Sequence, residues 1–197
     1  MKSASEIRGM VDRVRAQFGG PDILVNNAGI QHVCNVEDFP PEKWDELIAI
    51  HLTACFHLVQ ATLPQMKEKG WGRIIFISSV HGKVVSVNKC AYNAAKHGQI
   101  GLAKTIAMES AKSGVTCNTI CPGFVRTELI EKQLVARAEA GNKTVEEAKN
   151  DLLSEKVPQG EFVADSAIGE MAAHLCQEAS RSITGTEIII DGGWTAV

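Results

Sequence analysis

The chain lacks any Cys-x-x-Cys pair, although it holds six cysteines at Cys34, Cys55, Cys90, Cys117, Cys121 and Cys176. That scatter excludes a zinc ribbon or a disulfide framework and reads as reduced core thiols, so no bound metal is expected. A long basic run is also missing. With a formal charge of −3 and a pI near 6.1, the composition argues against a nucleic-acid partner. Neither a secretory leader nor an uninterrupted apolar run of membrane-spanning length is seen, so no membrane partner is expected, and the expected location is the cytoplasm. Repeats and low-complexity segments are absent too. What remains is 197 residues, 45% of them hydrophobic, enough length for one domain.

Within that chain the most informative feature is Tyr92-Asn-Ala-Ala-Lys96, with Ser79 thirteen residues upstream of the tyrosine. Residues four apart share a helix face, so a Lys96 ammonium beside the phenol is expected to lower the Tyr92 pKa. Such a pair suits proton transfer to or from a carbinol, with the Ser79 hydroxyl holding the same oxygen. Tyr-x-x-x-Lys also occurs by chance in many helices, and its surroundings decide the reading.

Those surroundings alternate strand with helix. Asp22–Asn26, Gly72–Ser78, Val115–Ile120 and Thr186–Ile190 are short apolar runs, each followed by a turn signal, and read as parallel strands. Ser3-x-x-Glu6 is a capping box for a first helix whose apolar stripe is Ile7, Met10, Val11, Val14 and Phe18. A long helix follows from Pro41 to Lys69, its last part bent at Pro64. A third helix from about Cys90 to Lys112 carries Tyr92 and Lys96 in its first turns. Shorter helices are expected near 127–139, 144–155 and 165–178, and the charged stretch 138–149 is expected to be flexible. In a layered sheet of this kind ligands gather at the carboxyl ends of the strands, where 26–29, Ser79 and Pro122-Gly123 fall.

Asn26-Asn27-Ala28-Gly29, Ser79 with Tyr92-x-x-x-Lys96, Pro122-Gly123 and the closing Asp191-Gly192-Gly193 together resemble the short-chain dehydrogenase/reductase family over essentially the whole chain. The resemblance implies an α/β fold: a Rossmann-type doubly wound parallel sheet with about four strands and flanking helices, in one partial domain over 1–197. It implies hydride exchange between a nicotinamide cofactor, NAD, and a hydroxyl or carbonyl group. Tyr92 is then the general acid/base, Lys96 binds the nicotinamide ribose, and Ser79 orients the substrate oxygen. Asn26, Ala28, Gly29, Pro122, Gly123, Val125 and Thr127 line the cofactor cleft with Tyr92 and Lys96. A substrate lid is expected near 127–157, and the family suggests a homotetramer.

A narrower likeness, carried by Gln31-His32, Ser79-Val80-His81, Asn88-Lys89, Gln133 and Trp194, is to the bacterial-type D-3-hydroxybutyrate dehydrogenase branch of that family. It implies interconversion of D-3-hydroxybutyrate and acetoacetate, a step of ketone-body metabolism. The small hydroxy acid would be held by its carboxylate on Gln31, His81, Lys89 and Gln133, with Trp194 closing the pocket. Lys89 offers a charge-assisted bond, and the histidine and the amides are directed donors. Trp194 equally suits a C-terminal structural anchor.

Two departures from the family pattern stand out. The family opens with a strand and a glycine-rich turn that cradles the cofactor pyrophosphate, yet no eight consecutive residues here contain three glycines. By that pattern roughly the first sixty residues of a Rossmann unit are missing, and the strand at Ile23–Val25 is expected to be an open edge. The second departure is His51, where the family usually places an Asn in its proton relay. Two alternatives therefore stay open: a reductase of another 3-oxo compound, such as a 3-oxoacyl-carrier-protein, or an inactive subunit that assembles with full-length homologues.

Overall fold

A computed structural model describes residues 3–196. Four parallel strands, β1 (Ile23–Asn26), β2 (Gly72–Ile77), β3 (Val115–Pro122) and β4 (Glu187–Ile190), form one sheet in the order β1-β2-β3-β4. The connections carry helices α1 (Ala4–Phe18), α2 (Pro41–Ile48), α3 (Ala54–Lys69), α4 (Cys90–Ser110), α5 (Glu128–Gly141), α6 (Val145–Lys156) and α7 (Asp165–Cys176). This is the α/β Rossmann-like arrangement expected from the sequence.

The sheet is apolar on both faces because each is covered. Ile74 and Phe76 of β2 and Val115 and Cys117 of β3 pack against Cys55, Val59 and Met66 of α3 and Ala103, Ile106 and Ala107 of α4. On the opposite face Ile75 and Ile120 meet Leu175 of α7. Small residues let α4 lie close: Ala91, Ala95 and Ala103 are buried along its inner side.

The first strand is different. Among the described residues β1 pairs with β2 alone, as the sequence reading expected of an edge, and Ile23 and Val25 are 45% and 44% exposed. Of the apolar stripe assigned to α1 only Ile7 and Val11 are buried, against Ala54 and Leu58 of α3; Met10 and Phe18 face solvent. The capping box is half formed, since the Glu6 N–H reaches the Ser3 hydroxyl at 3.3 Å.

The helical run from Pro41 to Lys69 is interrupted away from Pro64, where a bend was expected. α-Helical geometry continues through Pro64, and the interruption lies at Ala49–Thr53, one wide π-helical turn. In length and composition this run would also pass for a membrane span, but Leu47, Ala54, Cys55, Leu58, Val59 and Met66 turn its apolar side into the domain core. Stretch 138–149, expected to be flexible, is built into two helix ends. Asn142, at φ 50°, closes α5, and Thr144 with Glu147 forms a complete capping box for α6. Ile130, Leu134 and Leu153 of this helical pair pack with Phe124, Val80 and Trp194.

Candidate active site

Beyond β2 the chain passes Ser78 and Ser79 and makes a short 3₁₀ turn at Val80–Gly82, capped by the Ser79 hydroxyl, which accepts the His81 N–H at 3.1 Å. α4 then starts beside it, with Lys89 at its N-cap, Tyr92 in its first turn and Lys96 one turn on. Lys96 is only 4% exposed, and its Nζ donates to the Ile77 carbonyl at 2.7 Å while lying 5.4 Å from the Tyr92 ring centroid. Burial pulls its pKa down to about 8. Burial also pushes the Tyr92 phenol above its ordinary value of 10.0, an effect the hydrogen bond from Ser79 opposes. The expectation that Lys96 acidifies Tyr92 is therefore corrected for the free chain. The ammonium lies against the ring and a backbone carbonyl, and desolvation dominates.

His51 sits in the wide turn, 1% exposed. Its Nε2 is 2.7 Å from the Ile30 carbonyl and 3.1 Å from the Ile30 N–H, so it donates to the first or accepts from the second according to its tautomer. Nδ1 is buried without a partner among the described residues. Gly29 is required by this packing, because a Cβ there would stand 2.5 Å from His51 Cε1. Burial, and then the Lys96 charge, bring the His51 pKa down to about 4. The His51 carbonyl accepts Gln99 Nε2 at 2.6 Å, and the ring meets Tyr92 edge to face at 5.3 Å.

These groups share a cleft of about 410 Å³ at the carboxyl ends of the strands. Of the expected residues, Gly29, His51, Ser79, Tyr92, Lys96, Pro122, Gly123, Val125 and Thr127 line it. Thr127 is also the α5 N-cap, accepting the Ile130 N–H at 3.4 Å. Asn26 lies buried at the end of β1, both polar atoms of its amide unpartnered among the described residues, and neither it nor Ala28 reaches the cleft lining. Asp165, Ile168 and Ile130 line the cleft and were not read from the sequence. Ile130 follows the Thr127 cap in the first turn of α5, whereas Asp165 and Ile168 are carried there when Val163 bridges to Val125, its N–H donating to the Phe124 carbonyl at 2.8 Å, a contact with no local sequence signal.

The residues expected to grip a carboxylate do not line this cleft. Lys89 is half-buried with no counter-ion among the described residues, so burial lowers its pKa, and its charge acts on His81. The Gln31 side-chain oxygen accepts the His32 N–H at 3.1 Å, and Gln133 is half-buried on α5. His81 was expected to be a free donor. Instead its Nδ1 is 3.2 Å from the Ser79 oxygen and its Nε2 2.7 Å from the Ser86 oxygen, and burial brings its pKa down to about 4. Trp194, 8% exposed, packs on His81 at 5.5 Å and on Phe124 at 4.6 Å between ring centroids. Asp191 holds that C-terminal turn, accepting the N–H groups of Gly193 and Thr195 at 2.9 and 2.7 Å. Among the described residues no cluster of His, Cys, Asp and Glu is placed to hold a metal ion, and the six cysteines are free.

A family model described as enoyl-(acyl carrier protein) reductase matches residues 1–195. D-beta-hydroxybutyrate dehydrogenases from Cupriavidus necator and Rhizobium meliloti are 52% and 48% identical to the chain, over 100% of it and 76% of each relative. The acetoacetyl-CoA reductase of Rhizobium meliloti is 33% identical over 93% of this chain and 71% of its own. A gluconate 5-dehydrogenase from Burkholderia cenocepacia, solved with NADP and tartrate, superposes with a TM-score of 0.90 at 31% identity, covering 100% of this chain and 73% of that one. With its tyrosine, lysine and serine gathered at the strand ends, the chain belongs to the short-chain dehydrogenase/reductase family of oxidoreductases.

Proposed function

We propose that the chain is an NAD-dependent oxidoreductase of the D-3-hydroxybutyrate/acetoacetate pair. The observation that carries this reading is the meeting of Ser79, Tyr92 and Lys96 in one cleft; Lys89, outside the cleft lining, is half-buried at the N-cap of the same helix with no counter-ion among the described residues. The cleft fits the nicotinamide end of such a cofactor. Pro122, Gly123 and Val125 give a smooth wall, and the Thr127 hydroxyl and Lys96 supply polar contacts for a carboxamide and a ribose. When bound, the nicotinamide supplies the hydride acceptor or donor. NAD is taken from the family resemblance of the sequence, whereas the structural relative was solved with NADP.

The chain's own part is proton handling and orientation. In oxidation Tyr92 takes the hydroxyl proton of the hydroxy acid as the C–H hydride leaves; in reduction it returns that proton to the carbonyl oxygen. Ser79 donates a hydrogen bond to the same oxygen as charge develops on it. Lys89, with Gln31 and Gln133 in support, holds the far carboxylate and selects a small acid over a thioester. α5 and α6 supply the lid.

The test is Lys89→Ala, which removes one charge-assisted bond and raises the KM for the free hydroxy acid about tenfold or more at little cost in kcat. An unchanged KM sinks the carboxylate assignment and favours the other 3-oxo reductase reading. A second reading, an inactive subunit that joins longer homologues, draws on the open edge of β1. Calorimetric titration of the folded chain with NADH and NADPH separates the two, since micromolar binding of either supports the enzyme.

A further inference from the structure

Ser86 lies in the connection between the 3₁₀ turn and α4, outside every motif of the sequence reading. Asn93 of α4 anchors that connection by donating its side-chain amide to the Ser86 carbonyl at 2.9 Å. The Ser86 hydroxyl is thereby set 2.7 Å from His81 Nε2. The His81 ring is held as well, edge to face between Tyr92 at 5.8 Å and Trp194 at 5.5 Å.

A neutral imidazole has one N–H, and its position decides what Ser79 can do. With the proton on Nε2, the ring donates to Ser86, and Nδ1 takes the Ser79 hydroxyl proton. None is then left for a substrate oxygen. With the proton on Nδ1, the ring donates to the Ser79 oxygen, and Ser86 donates to Nε2. The Ser79 oxygen then accepts two donors, Nδ1–H at 3.2 Å and the His81 backbone N–H at 3.1 Å, and its own O–H is free to point into the cleft.

We infer that Ser86 and His81 are positioning residues, forming a one-directional hydrogen-bond chain from Ser86 through His81 to Ser79 that aims the Ser79 proton at the substrate oxygen. Donors lined up head to tail strengthen one another. This rests on the oxidoreductase reading, and it gives His81 a part other than gripping the carboxylate.

Two measurements test it, one of them independent of turnover. Nitrogen NMR of the histidine-labelled chain is expected to show His81 protonated on Nδ1 and bare on Nε2; a proton on Nε2 overturns the inference. In kinetics His81→Phe, which keeps a ring between Tyr92 and Trp194, is expected to lower kcat about ten- to a hundredfold with KM for the hydroxy acid within about twofold. Ser86→Ala, a small change at a half-buried site, is expected to lower kcat about fivefold, with Ser86→Thr restoring it. A raised KM at unchanged kcat in His81→Phe returns the histidine to carboxylate binding and overturns the inference, as does full activity in Ser86→Ala. A wild-type chain that binds no cofactor and turns nothing over defeats the proposed function instead, and the tautomer then decides the hydrogen-bond chain alone.

Discussion

The sheet has a closed side and an open one, and the site belongs to the closed side. Ile74 and Phe76 of β2 are 0% exposed, with a paired strand on either flank and helices above and below, whereas Ile23 and Val25 of β1 stand 45% and 44% exposed beside a free edge. Ser79, Tyr92 and Lys96 are positioned by β2 and α4, inside packing that this chain completes by itself. Asn26, on the open strand, has a buried amide with no partner among the described residues. Preorganisation therefore comes from the elements enclosed on both faces, and β1 and α1 add shape without the same rigidity.

The sharpest way to break this comparison is Tyr92→Phe. If the closed side is the chemical one, turnover falls by about 10²–10⁴ while circular dichroism and the melting curve stay near those of the parent. Tyr92 is also the single tyrosine, so phenolate absorbance reports it alone. In the free chain that absorbance should emerge only above the ordinary value of 10.0, and oxidation should quicken as pH rises toward it.

Stability gives the next contrast. Phe76→Ala opens a hole between β2, α3 and α4 and should cost about 3–5 kcal/mol in urea unfolding. Acid should strike the same side. The His51 and His81 rings are neutral when folded, with pKa values lowered from 6.5 to about 4, so the unfolded chain binds more protons in that window. Stability present above pH 6.5 is lost as pH falls toward 4, by about 3 kcal/mol per ring, and denaturation midpoints measured across that range check it. Val25→Ala on the open strand should change stability least, by less than about 1 kcal/mol. A cost there equal to that of Phe76→Ala would erase the distinction between the two sides.

Much of this is legible in the amino-acid sequence. β2 and β3 stood out because a strand buried on both faces must be a continuous apolar run, and Tyr92 and Lys96 because a helix puts residues four apart on one face. Less legible was α1, whose stripe of five apolar residues buries two. Helical periodicity names a face but not the area of neighbour available to cover it. The π-helical turn around His51 was hidden as well, since the contacts of its ring, Ile30 and Gly29, lie about twenty positions away along the chain.

By itself, then, the sequence determined the order of strands and helices, the family, and the serine, tyrosine and lysine of the cleft, since each depends on spacing along the chain. Tertiary structure alone decided the electrostatics and the proton directions. Lys96 turns to the Ile77 carbonyl, burial lifts Tyr92, Asp165 arrives from a distant helix, and Ser86 finds His81. Those outcomes follow from desolvation and from which polar atom lies within about 3 Å of another, and both depend on how separate elements pack.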